Sequence, residues 1–163
     1  MNAIREKILH YLEQNARLTA KNIADALDLE ESTVAEIISA AEADGTLRGY
    51  HALVNWDKTE REHTCAVIEI KVHIRHGEGF EEVAKRICAY DEVQDLYLMS
   101  GGYDLMVVLE GKTLRDVARF VGEKLAVIDG VTGTATHFVL TKYKDKGVMM
   151  DLSSDDHRLI SEI

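Results

Sequence analysis

The sequence predicts an α+β chain, an N-terminal winged helix-turn-helix followed by a ferredoxin-like βαββαβ domain, and three observations carry that prediction. Apolar residues recur at helical spacing in three short stretches before residue 45. Near residue 47 the period changes to alternation. Beyond residue 64, alternating and amphipathic runs succeed one another in the order β-α-β-β-α-β. The 163 residues suffice for one average domain or two small ones, and 46% apolar with 29% charged residues lets the chain bury a core.

Residues 2–14 place Ile4, Ile8, Leu9 and Leu12 on one helical stripe. Thr19 is then positioned to cap a short helix in which Ile23, Ala24 and Leu27 point inward. A third helix carries Val34, Ile37, Ile38 and Ala41 on one face and stops at Gly45. Residues 47–56 alternate around Gly49, which suits a short β-hairpin or wing. The charged stretch 57–63 contains no apolar residue and is the expected linker. The boundaries are therefore 1–56, 57–63, 64–145 and a tail of 146–163.

In the second half, residues 64–75 alternate Ala66, Ile68, Ile70, Val72 and Ile74 with Val67, Glu69, Lys71 and His73, a half-buried strand. Phe80, Val83, Ala84, Ile87 and Cys88 repeat at helical spacing. Residues 93–99 and 103–110 form two strands across Ser100-Gly101-Gly102. A helix over 113–127 carries Val117, Phe120, Val121, Lys124 and Leu125, and a strand over 132–144 carries Thr134, Thr136, Phe138, Leu140 and Lys142 on one side. The tail mixes Met149 and Met150 with aspartates and suits a short helix near 154–163 or a frayed end.

Such a sheet, with both helices on one side, leaves its other face bare. The Ile and Val content of the first strand makes that face too apolar to stay wet, so pairing two sheets about a two-fold axis, or covering one with the tail, is expected.

Composition also excludes function classes. The N-terminus has no apolar stretch of signal or membrane-spanning length, so the protein is expected in the cytoplasm, away from membranes. Cys65 and Cys88 lack Cys-x-x-Cys spacing and read as buried thiols. The seven histidines form no short ligand pairs: His73 and His76 fall on opposite faces, and His10, His51, His63, His137 and His157 stand apart. We assign no metal and no cofactor. No nucleophile-base pair or paired catalytic carboxylates appear, so the reading is not an enzyme.

The stretches Ile8-Leu9-His10-Tyr11-Leu12, Ile23-Ala24-Asp25-Ala26-Leu27, Gly45-Thr46-Leu47-Arg48-Gly49-Tyr50 and Ser100-Gly101-Gly102-Tyr103-Asp104-Leu105 occur in that order within one short chain. In order and spacing they resemble the Lrp/AsnC (feast/famine) family of transcriptional regulators over residues 1–145, and the glycine loop ending in Tyr103-Asp104 is similar to that family's sensing-domain signature. The resemblance implies an amino-acid-responsive regulator that binds double-stranded DNA through its third helix. It further implies a homodimer that assembles into higher oligomers and takes a free amino acid between neighbouring sensing domains.

The residues carried over to DNA contact are Lys21, Ser32, Thr33, Glu36, Ser39 and Arg48, with Arg5, Lys7 and Arg17 as further phosphate partners. Those carried over to the effector are Ser100, Gly101, Gly102, Tyr103 and Asp104, together with Thr134 and Thr136. Glycine amides suit a carboxylate and Asp104 an α-ammonium group, although a Ser-Gly-Gly hairpin also needs no ligand to explain it.

One departure stands out. The family usually carries Arg or Lys around positions 36, 37, 39 and 40, whereas this chain has Glu36, Ile37, Ser39 and Ala40, and no Lys or Arg between Asn22 and Leu47. With a net charge of −10, electrostatic attraction to phosphates is weak. Three readings remain: weak or conditional DNA binding, co-assembly with a basic paralogue, or a degenerate motif that senses an effector or docks a protein without touching DNA.

Overall fold

Residues Asn2–Gln14 form helix α1 of the computed structural model, which describes residues 2–74 and 79–150. Helices α2 (Ala20–Leu27) and α3 (Glu31–Ala43) follow, and the first compact unit closes at Val54. Ile8, Leu12, Ile23, Ala24 and Val34 are its core, so the predicted stripes of all three helices meet one another, except that Ile4, at the start of the first stripe, is exposed. Thr19 caps α2 as expected: the Asn22 amide donates to Thr19 Oγ1 at 3.2 Å, and the Thr19 amide donates back to Asn22 Oδ1 at 3.0 Å. Asp28, at φ 54°, turns the chain between α2 and α3, while the Leu29 amide donates to the Ala24 carbonyl at 3.0 Å. Gly45, at φ 76°, ends α3 in the left-handed conformation that glycine adopts without a Cβ clash.

The hairpin expected over 47–56 does not form. The segment makes no strand pairing, Leu53 and Val54 are exposed, and residues 56–58 are a single 3₁₀ turn. Gly49, the residue on which the turn depended, does not take a positive φ, so nothing reverses the chain there. Arg61 lies 4.4 Å over the Trp56 ring, giving the expected linker a local contact within the second unit, Asn55–Ile163.

In that second unit the order is β1 (Thr64–Val72), α4 (Phe80–Cys88), β2 (Val93–Leu98), β3 (Leu105–Gly111), α5 (Leu114–Phe120) and β4 (Val131–Phe138). The four strands pair antiparallel in the order β2-β3-β1-β4, the ferredoxin-like arrangement read from the sequence. The helix expected over 113–127 is divided. After Phe120 it widens into a π-helical turn, Val121–Leu125, closed by the Ala126 amide on the Val121 carbonyl at 2.8 Å. Valine and glycine at 121 and 122 are poor α-helix formers.

Register assigns the faces. Ile68 lies opposite Val107 and Thr136, and Ile70 opposite Leu105 and Thr134. These isoleucines are fully buried with Val83 and Ile87 of α4 and with Val117, Phe120 and Leu125. The expectation that the bare face carries the isoleucines of β1 is therefore incorrect. Alternation sends Ile68 and Ile70 under the helices and leaves Val67, Glu69 and Lys71 on the uncovered side, with Met106, Val108, Tyr97 and His137 opposite or diagonal to them. That face is mixed, with His137 Nε2 3.4 Å from Glu69 Oε1.

Cys65 is buried, and burial pushes its thiol up, but Cys88 is exposed, because the last residue of α4 turns away from buried Ile87. The strand read over 132–144 also stops early, at Phe138. A small hairpin, β5 (Lys144–Asp145) with β6 (Val148–Met149), follows, and Lys146 and Gly147 turn it at φ 43° and 84°. The boundary drawn between 145 and 146 thus falls inside this turn. The first strand, read over 64–75, stops at Val72, where its register with β4 shifts after Lys71, while the suggested helix near 154–163, Arg75, His76 and His157 lie outside the described residues.

Candidate functional site

On α3, at about 100° per residue, Ser32, Glu36, Ser39 and Ala43 share one exposed arc, with Thr33 and Ala40 on its shoulder. The opposite side is the buried one, with Val34 and Ala41 inside and Ile37 and Ile38 half-buried. The expected contact residues of this helix are thus solvent-facing together, and Lys21 and Arg48 are also exposed.

The acidic character of the region resolves into separate roles. Glu30 is the N-cap residue of α3, and Glu31 sits in its first turn, where the helix dipole favours a negative charge. Glu42 accepts from the Tyr50 hydroxyl at 2.8 Å. Asp44 takes the Thr46 amide at 2.9 Å and lies 2.6 Å from Arg5 Nη2, which also reaches the Thr46 hydroxyl. Hydrogen bonds from the Thr46 hydroxyl and amide, and then Arg5, lower the Asp44 carboxyl to about 2. A lowered carboxyl contributes stability above the ordinary range near 3.8 and loses it as pH falls toward 2, so this clasp survives mild acid. Sequence reasoning missed it because its partners are 39 and 41 residues apart. Arg5, read as a phosphate partner, is already engaged within the first unit.

The glycine loop between β2 and β3 is held at both ends. The Met99 amide donates to the Asp104 carbonyl at 2.8 Å, the Asp104 amide to the Ile70 carbonyl at 3.0 Å, and the Val72 amide to Asp104 Oδ2 at 2.8 Å. Between these anchors, the amides of Ser100, Gly101, Gly102 and Tyr103 make no hydrogen bond among the described residues. Ser100, Gly101 and Gly102 are exposed, and a Cβ added at either glycine would meet nothing within 4 Å. Tyr103 and Asp104 are half-buried.

Thr134 and Thr136 are not brought to this loop within one chain. They lie on β4, across β1 from β3, at about two strand spacings, roughly 10 Å. They share the helix-covered face with Ile70 and Ile68. Asp104, for its part, has a structural task that sequence reasoning did not anticipate: it ties the start of β3 to the end of β1.

Two substitutions separate loop chemistry from folding. Gly102→Val should leave thermal stability within about 0.5 kcal/mol, as an open surface position allows. Asp104→Ala should cost about 1–2 kcal/mol, because the Val72 amide loses its acceptor. Thermal melts of both variants check this, and equal melting points would show that the Asp104 bond contributes nothing.

A cavity of about 620 Å³ opens elsewhere in the second unit, lined by Arg61, His63, Glu92, Glu110, Arg119 and Lys124 among others. On its wall Lys124 Nζ donates to Glu92 at 2.5 Å, and His63 Nε2 lies 3.7 Å from Glu110. It contains no residue of the glycine loop. Among the described residues, no three of His, Cys, Asp and Glu gather to hold a metal ion, and no helix is long and apolar enough to cross a membrane.

Residues 1–48 match the winged helix-turn-helix DNA-binding family, and residues 65–149 match the Lrp/AsnC ligand binding domain. The HTH-type transcriptional regulator YugG of Bacillus subtilis is 41% identical over 94% of this chain and 93% of its own. The leucine-responsive regulatory protein of Haemophilus influenzae is 25% identical over 92% of this chain and 90% of its own. A transcriptional regulator of Neisseria meningitidis, solved in complex with L-Met, shares the fold at a TM-score of 0.68 and 21% identity, covering 92% of this chain and 96% of that one. With a helix-turn-helix in the first unit and the matching sheet domain in the second, this chain belongs to the Lrp/AsnC family of transcriptional regulators.

Proposed function

We propose that the protein regulates transcription in response to a free amino acid, which binds at the Ser100–Asp104 loop where neighbouring copies meet. The observation that carries this reading is the run of four loop amides without a partner among the described residues, held between two anchored ends. Backbone amides are what a carboxylate requires, and Asp104 Oδ1, which the Val72 amide does not use, is left to accept from an ammonium group. The regulator of Neisseria meningitidis solved with L-Met, and the leucine-responsive name of the Haemophilus relative, support an amino acid as the class of effector. Thr134 and Thr136 belong to the site only if a second copy contributes them. Homodimers and higher oligomers are part of this reading, as is a cytoplasmic location, and the protein carries out no catalysis.

DNA is contacted by Ser32, Thr33, Glu36 and Ser39 of α3, with Lys21 and Arg48 on phosphates. The absence of Lys and Arg between Asn22 and Leu47 favours a second reading, an effector-sensing co-regulator or protein-docking module that does not touch DNA. Fluorescence anisotropy on the upstream region of the protein's own gene, with and without the twenty amino acids, decides between them. A shift that responds to one amino acid supports regulation at DNA, and no binding at low salt overturns it.

A further inference from the structure

Along the centre of the exposed arc of α3, formed by Ser32, Glu36, Ser39 and Ala43, Glu36 is the one charged residue, with the exposed Glu31 and Glu42 lying off to its other side. Its neighbours there, Ser32, Ser39, Ala43, Thr33 and Ala40, are all short, so its side chain projects furthest from the surface. The other carboxylates of α3 and its end have separate places, at the cap, in the first turn, on Tyr50, and on Thr46 with Arg5. Glu36 has no hydrogen bond or ion pair among the described residues. A carboxylate at the centre of a groove-facing surface weakens attraction to phosphates, so its contribution is to discrimination and not to affinity.

The chemistry of base edges says which discrimination. A carboxylate only accepts hydrogen bonds. In the major groove guanine presents two acceptors, thymine an acceptor and a methyl group, adenine a donor beside an acceptor, and cytosine a lone amino donor. We propose that Glu36 reads a cytosine, accepting from its exocyclic amino group, while the basic residues flanking α3 hold the backbone. The recognition helix thereby selects by what it repels as much as by what it binds: guanine or thymine at that position sets acceptor against acceptor. This inference rests on the DNA-binding reading above.

The test is selection from a pool of random-sequence duplexes at low salt, carried out on the full chain and on Glu36→Gln and Glu36→Ala, which alter an exposed position and should fold. The parent should enrich cytosine at one position of each half-site. Glu36→Gln should move that position to adenine, whose donor and acceptor match a carboxamide. Glu36→Ala should lose the preference there and keep the others. Replacing that cytosine should weaken the parent by roughly 5- to 150-fold and Glu36→Ala hardly at all. If Glu36→Ala keeps the parent's preference at every position, Glu36 is no reader, although DNA binding stands. A Glu36-dependent position occupied by another base overturns the assignment to cytosine. If the parent enriches no sequence, the DNA-binding reading falls together with the inference.

Discussion

Ile68→Ala is expected to lower the stability of the second unit by about 2–5 kcal/mol. Ile68 is fully buried: it sits on the inner strand β1, between Val107 and Thr136, with the helices packed over it. Truncation removes three methyl(ene) groups and leaves a cavity that the flanking strands cannot close, because their spacing is set by backbone hydrogen bonds. For a unit of this size the melting temperature should fall by about 10 °C or more. Val67→Ala, one residue away on the uncovered face, provides the comparison: in an isolated chain it should cost under about 1 kcal/mol. A Val67→Ala loss as large as that of Ile68→Ala, reduced on dilution, would show the uncovered face buried against another copy. Equal small losses for both variants would mean that the sheet faces are assigned wrongly.

The contrast between these neighbours shows how far the sequence was legible. Period alone revealed that Ile68 and Ile70 share a face, and that α4 and α5 are amphipathic, so the strand order and helix positions followed. Period could not say which face the helices cover, since that depends on where the crossovers go after β1 and β3. Assigning the isoleucines to the bare face was the result. The missing hairpin over 47–56 has a different origin. Alternation was read as strand, but alternation pairs nothing unless a turn residue reverses the chain, and Gly49 does not. At Lys146-Gly147 the opposite occurred: the chain does reverse, between strands two residues long that are too short to show a period.

The candidate loop was legible as a turn because Gly101 and Gly102 stand out in any reading. The role of Asp104 was not, since its partner amide belongs to Val72, 32 residues earlier. The same limit applies to Asp44 with Arg5 and to Lys124 with Glu92: each joins residues that only the fold brings together. Sequence spacing found the cap at Thr19, whose partner Asn22 is three residues away, and the structure adds the same arrangement at Thr113 with Asp116.

Replacing Glu36 with Arg and Ala40 with Lys together is expected to strengthen non-specific DNA binding and to steepen its dependence on salt. Both positions are exposed on α3, so the fold should be kept, and the local charge changes by three units: one carboxylate is removed and two cations are added. Each new phosphate contact adds about 0.9 to the logarithmic salt slope, so two contacts add about 1.8, or roughly a 12-fold greater loss of affinity between 50 and 200 mM salt. The direction distinguishes a helix that faces DNA from one that merely sits on an acidic protein, because cations elsewhere on the surface would raise the general attraction without coupling to this face. Asp25→Lys together with Glu123→Gln, also exposed but outside the arc, adds the same three units of charge and serves as the charge-matched control. If the arc faces DNA, the α3 variant steepens the slope and the control does so far less. If both variants change the slope equally, or neither does, α3 does not lie against DNA, and the chain acts through its ligand-binding domain or through a partner protein instead.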